Sequence, residues 1–528
     1  GRLEPGERDF AVSAWLYDRS ARKFFAPESG PPGPFTLEDK ILPIPLARAR
    51  AGRFNLYARS WAHALGESGD GGPVTLGIGE ITVENASDRT SEADLLLAVH
   101  PFGPEGPEPG APEGIRPIER IANDPSLQLV LVNGRPGLIL AGAPDAFGAT
   151  AFAAPGGTIA RLIADGELPP SLEAEDPALR MASAAAVYHL RIQPFGSRTQ
   201  TFRVFLEGRP ATLTPELAAS IREVDRKGSW KAARDGWSGL LNGRERLWLR
   251  LPDKRAQEAF YASLGHLLCV MNSPEEPRPD PRRLAAALLR AGHPEAAAPR
   301  SVDPAEAWSL PVPPGPSAPA ADPAAAWLRD GTYRPAEALE LARRAANEGD
   351  AESAAWNLGW CLKHQTAPGA YAWAASADPV AFAWAGGRLP DPGAAASLVC
   401  LLRDMLVREE GDSLLITAGI PAAWATPGGQ LEIKMAPTRF GTLPGYSLVA
   451  SPGGLTLRLY RPEQLARQGR GPVLDPAQVA RPPGGLRWRV PGTRRIRALA
   501  VDGGRVRTLP ADRWVALPEG ARKVSVSW

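Results

Sequence analysis

Lys254–Asn272, KRAQEAFYASLGHLLCVMN, sets Ala256, Phe260, Leu264, Leu267 and Leu268 on one helical face, with Asp253 placed to cap the first turn. Most of what precedes it follows a different period. Tyr188–Ile192 and Thr199–Leu206 (TQTFRVFL) alternate apolar and polar residues with period two. Val74–Val83 (VTLGIGEITV) and Ala93–Val99 (ADLLLAV) are short apolar runs of strand length. Leu127–Val132 runs into Asn133-Gly134, the pair that favours a type I′ hairpin, and then into Leu138–Leu140. Thr158–Asp165 and Thr214–Lys227 read as short helical interruptions. The change of period near Leu240 therefore divides β structure from helical structure.

Beyond Asn272, helices are readable at 281–291, 322–329, 335–348, 350–364 and 393–408. Between them Ser309–Pro323 (SLPVPPGPSAPAADP) is too proline-rich for helix or central strand, and reads as an extended connector. Ala338–Trp360 resembles one helical hairpin turning at Gly349-Asp350; a repeat array would need about three such units. After Gly411 strand patterns return at Ser413–Ile416, Leu431–Lys434, Tyr446–Val449, Leu455–Tyr460, Arg494–Val501 and Lys523–Ser527. The expected fold is a multidomain α+β chain in three parts. Residues 1–235 form a large antiparallel β-sandwich, 236–411 a helical domain, and 412–528 a small β-sandwich.

The whole composition fits that layout. With 528 residues, two to four domains are expected. Sixty basic residues stand against 58 acidic ones, a balance that argues against a nucleic-acid clamp or a polybasic membrane arm. No apolar run is long enough for a membrane-spanning helix. The chain starts at Gly1 without Met, so a removed leader and an uncaptured start are both open.

Metal and cofactor chemistry find little support. Cys269, Cys361 and Cys400 lie far apart in apolar contexts and read as buried free thiols. The six histidines show no paired spacing, so no zinc site is expected. Gly77-Ile78-Gly79 sits inside a strand pattern with no following helix, which argues against a dinucleotide loop. No GxSxG occurs. No cofactor is expected.

Several stretches resemble one group of proteins. They are Glu84-Asn85 with Leu95–Phe102, Gly114–Ile118, Pro144–Ala149, and Leu251-Pro252-Asp253 with Ala259–Leu268. The most specific is Leu401–Glu410 (LLRDMLVREE), leading into Gly419–Trp424 and Ala436–Gly441. They are similar to bacterial six-hairpin, (α/α)-toroid glycosidase-like proteins, a group often labelled by a coagulation-factor-5/8 domain. The resemblance covers both β regions and the edges of the helical middle. It implies a helical toroid between β domains, and an extracytoplasmic location with any leader removed.

The middle departs from that pattern. Residues 236–411 hold fewer recognisable helices than six hairpins require, which implies a reduced toroid. Met271-Asn272 runs straight into Ser273–Pro277, where the family carries a polar segment. His364–Trp373 matches a stretch expected to bear a Glu near Trp373, and Arg388–Ala394 stands for a Gly/His/Trp-rich loop. Glycoside hydrolysis needs two carboxyls, about 5 Å apart for retention or about 6.5–9.5 Å apart for inversion. The remaining acids, Glu275, Glu276, Asp280, Asp330 and Asp391, sit in Pro-rich loops or at helix ends, where capping explains them. Asp391 and Glu275 are the candidates for catalysis, and they form no recognisable pair.

Aromatic residues offer another kind of site. Trp356, Trp360, Tyr371, Trp373 and Trp384 crowd around the expected toroid mouth, where their faces could stack on sugar rings. Trp356 and Trp360 are spaced i, i+4, which equally suits a core stripe. The leading expectation is a glycosidase-derived, non-catalytic protein of an exported assembly, structural or carbohydrate-binding, with a glycan or a protein partner. The alternative is an active glycoside hydrolase or lyase whose carboxylates come from unrecognised positions.

Overall fold

A computed structural model of the protein describes residues 2–3, 10–27, 35–67, 73–101, 117–154, 157–271, 281–297, 328–329, 332–378, 380–381, 384–386, 389–467, 471–472, 474–510 and 512–528. It is a mixed α+β structure with several antiparallel sheets. Two compact units are present: Gly1–Glu38 with Ile44–Asp235, and Asp39–Pro43 with Gly236–Trp528.

The first unit is built on two sheets. Its nine-stranded sheet runs, in spatial order, Glu173–Glu175, Arg120–Asp124, Leu129–Val132, Arg135–Leu140, Ser197–Glu207, Pro73–Asn85, Phe54–Glu67, Leu42–Ala51 and Phe35–Glu38. The six-stranded sheet centres on Ala11–Asp18, Ser91–His100 and Ser183–Ile192. Period two decides which side chains meet. Phe54, Leu56, Ile81, Val83, Phe202 and Val204 of one sheet share an apolar cluster with Leu16, Leu95, Leu97 and Tyr188 of the other. Asn133 and Gly134 both have positive φ, 52° and 73°, and close the hairpin between Leu129–Val132 and Arg135–Leu140.

The nine-stranded sheet has a second face, and helices cover only part of it. Ala218 and Ile221 of the helix Pro215–Glu223 bury against Leu76, Ile139 and Phe205. The Trp61 indole donates to Ser229 Oγ on the next helix, Arg226–Asn242, at 3.2 Å. Further along the same strands this face carries half-buried polar side chains.

The second unit gathers its helices around Pro392–Leu406. Nearly every side chain of that helix is buried, which is how a helix apolar all round must sit. Phe260, Leu264, Leu268, Leu398, Leu401, Leu402 and Met405 all lie in the core. Pro335–Glu348 and Ala351–Lys363 form the expected hairpin: Gly349 ends one helix at φ 89° and Asp350 accepts from Ser353 N–H to start the next. The short strand Trp248–Arg250 pairs with Gln430–Thr438. This pairing carries the chain between the first unit's last helix and Lys254–Met271 into the C-terminal seven-stranded sheet. Helices and C-terminal strands share a single apolar cluster. A smaller sheet pairs Ser413–Ile416 in parallel with Leu486–Arg489.

Four expectations need correction. Leu328–Arg329 is strand, paired with Thr332–Tyr333, where a helix over 322–329 was expected; the rest of that span and the connector 309–323 lie outside the described residues. Strand begins at Ala498 instead of Arg494, because Arg494, Arg495 and Arg497 break the alternation. Trp248–Arg250 is strand inside the segment read as helical. Cys269 is exposed, since the face that buries Leu264 and Leu268 does not include it; Cys361 and Cys400 are buried free thiols.

Candidate functional site

The residues nominated by sequence do not assemble into one site. Asp391 is the N-cap of Pro392–Leu406: its Oδ2 accepts from Ala394 N–H at 2.8 Å and its own N–H donates to Trp373 O at 2.7 Å. Burial raises its pKa, opposed by the amides of Ala394 and Gly393. Glu275, Glu276, Asp280 and Asp330 lie outside the described residues.

Among the aromatics, Trp373 is a core residue, 1% exposed, with its indole donating to Cys361 O. This placement withdraws its ring from any sugar platform. Trp360 is half-buried against the rings of Tyr333 and His364. Trp356, one turn earlier on the same helix, is 52% exposed. Tyr371 donates its hydroxyl to Glu258, which also pairs with Lys40 at 3.4 Å. Trp384 lies in the strand Trp384–Gly386, and its side chain is outside the described residues.

A better-formed site lies on the second face of the nine-stranded sheet, and sequence reasoning missed it. Antiparallel register sets Asn55 opposite Glu84, Tyr57 opposite Thr82, and Arg59 opposite Glu80. On the outer side of that ladder, Leu46 faces Arg59 and Arg48 faces Tyr57; on the inner side, Thr199 faces Thr82. Since Phe54, Leu56, Ile81 and Val83 point into the core, these alternate residues project together from the other face. Of these, Leu46, Arg48, Tyr57, Arg59, Glu80 and Thr82 line a groove of about 600 Å³ with Thr36 and Glu38 of the edge strand.

Its polar groups are mutually ordered. Glu80 bridges two guanidiniums, Arg59 and Arg226, each at 2.7 Å. Glu38 lies 3.9 Å from Arg59. Glu84 accepts from Asn55 at 2.8 Å and from Tyr57 at 2.9 Å. Those two bonds, Asn55's first, hold the Glu84 carboxyl below the usual range, and the bond to Glu84 raises the Tyr57 hydroxyl. The Arg48 guanidinium lies over the Tyr57 ring, and Arg59 over Trp61 and Trp230. Thr82 and Thr199 hydroxyls meet at 2.8 Å.

Chemically this surface suits recognition more than bond cleavage. A glycosidase acid needs a raised pKa, so that it carries a proton to the leaving oxygen. Here Glu84 is held as a carboxylate by its bonds from Asn55 and Tyr57. What the groove does supply is a row of fixed donors and acceptors beside an aromatic ring. No group of three His, Cys, Asp or Glu is placed to hold a metal among the described residues. In comparisons with known proteins, no family model matches this chain and no curated protein matches it.

Proposed function

We propose that this chain is a glycosidase-derived, non-catalytic carbohydrate-binding protein, and that it holds a glycan in the groove formed by Arg48, Tyr57, Arg59, Glu80 and Thr82. In this reading the two sheets of the first unit form a β-sandwich and the helices of the second a reduced toroid with a small C-terminal β-sandwich. Location outside the cytoplasm, in an exported assembly, belongs to the same reading.

The observation that carries it is the ordered polar ladder itself. Sugar hydroxyls need donors and acceptors in fixed pairs, and Arg, Glu and Thr side chains held by cross-strand bonds provide them with little further ordering cost. Tyr57 adds a ring face for the apolar side of a pyranose. Asp391 is engaged as a helix cap, which supports binding over hydrolysis.

The test is a neutral and acidic glycan panel, read both by affinity electrophoresis and by release of reducing ends. Binding without turnover is expected, and Tyr57→Ala and Arg59→Ala should each weaken it while the far-ultraviolet dichroism stays intact. Turnover that disappears in Asp391→Asn would establish the hydrolase alternative instead. Binding unaffected by both groove substitutions would remove the groove from the account.

A further inference from the structure

The chain's small net charge hides a strong local imbalance. Residues 486–528 contain ten basic side chains and three acidic ones, within a protein of net charge +2. Two of those three acids are committed to backbone amides: Asp502 accepts from the N–H groups of Arg522 and Lys523, and Asp512 from that of Trp514. Several arginines are committed as well. Arg489 donates to Ala418 O, and Arg513 to the carbonyls of Val490, Pro491 and Arg494. Arg494 donates to Pro452 O at 3.4 Å, whereas Arg495 and Arg497 are exposed side chains with no described carboxylate beside them. All three line a surface pocket of about 560 Å³ with Ile496, Leu509 and Trp528, and no ion pair to a described carboxylate is formed by any of them.

Pocket shape adds to the charge. Ile496 is buried and gives the pocket an apolar floor. The Arg494 guanidinium lies 5.7 Å from the centre of the Trp528 ring, and Arg497 is anchored through its own N–H to Ser527 O. Trp528 also keeps its indole N–H buried without a described acceptor. Three guanidiniums around one concavity give it a positive potential that favours an anion. Planar guanidinium groups bind tetrahedral oxyanions in bidentate fashion.

We propose that this pocket is an oxyanion site, separate from the sheet-face groove, that takes a sulfate or phosphate group, either free or as the substituent of a sugar. The guanidiniums of Arg495 and Arg497 hold the oxyanion, and the Trp528 ring with Leu509 packs the carbon skeleton that carries it. The proposal stands independently of glycan binding in the groove.

The experiment titrates the full chain with sodium sulfate and sodium phosphate at constant ionic strength, using chloride as control and the melting temperature as readout. Ligand that binds only the folded state raises the midpoint. A parallel affinity gel compares dextran sulfate with unmodified dextran. A saturable midpoint rise with sulfate or phosphate is expected, absent in the Arg495→Ala/Arg497→Ala double variant, whose exposed side chains leave the fold intact. Selective retardation by dextran sulfate would assign the sugar substituent as the source, and a response to the free ions alone would assign those. Arg495→Lys/Arg497→Lys keeps the charge but loses the bidentate fork, so it should bind more weakly than the parent. No saturable response, or one equal in parent and double-alanine variant, overturns the proposal. Loss of groove binding in Tyr57→Ala with the sulfate response unchanged keeps the two sites distinct.

Discussion

At the scale of single residues, the most consequential group is Asp404. It is buried beside Arg343 at 2.7 Å and Arg290 at 3.8 Å, next to an Arg403 that pairs with Glu409 through both of its terminal nitrogens. Burial alone would raise its pKa, but Arg343, Arg290 and Arg403 outweigh burial and bring it to about 2. An unfolded aspartate titrates near 3.9. A folded pKa below the unfolded one contributes stability that is complete above about pH 4 and is lost as pH falls toward 2. Denaturant unfolding should therefore show stability falling across that window. Asp404→Asn should cost about 3–5 kcal/mol at neutral pH, because it leaves buried guanidiniums uncompensated. The variant should also show a shallower slope between pH 4 and 2; equal slopes in both proteins would show that Asp404 does not titrate as described. Sequence could place Asp404 in LLRDMLVREE, but Arg343 reaches it from 61 residues away. No local pattern encodes that meeting.

Elements were legible where periodicity was long and uninterrupted. The helix Lys254–Met271 and the strand Lys523–Ser527 end within a residue of their sequence patterns, because an amphipathic stripe or a clean alternation needs only its own letters. Short strands were not legible: Trp248–Arg250 is three residues long, and only pairing with Gln430–Thr438 makes it a strand. The sheet-face groove was hidden for the same reason. Alternation says that Tyr57, Glu80 and Thr199 point away from the core, yet only the strand order of the sheet makes them neighbours. At this scale the apolar stripes make a direct prediction. Leu264 and Leu402 are fully buried on two helices that share one core, so truncating either to Ala should cost about 2–5 kcal/mol in denaturant unfolding. Losses well below 1 kcal/mol at both positions would mean that these faces carry no core.

At the scale of the molecule, the question is what completes the helical segment. Pro392–Leu406 is surrounded by helices, but Val407, Leu414, Ile416, Ile433 and Tyr446 belong to the same buried cluster as Leu267, Leu402 and Met405. The Tyr446 hydroxyl donates to Leu406 O, and Arg403 donates to Pro437 O, so the end of the helix is tied to the strands that follow it. Trp248–Arg250 would lose its only described partner strand without Gln430–Thr438. The helices leave apolar side chains that they do not bury against one another, and the C-terminal strands cover them. Deleting residues 412–528 from the full chain should therefore remove more than strand signal. The helical dichroism at 222 nm assigned to residues 236–411 should fall with it, and the product should bind a hydrophobic dye. In the intact chain, Leu264→Ala and a core truncation among the strands, Ile433→Ala, should lower the same melting transition. Separate transitions for the two variants, or a deletion product that keeps its full helical signal, would mean that the helices hold a core of their own.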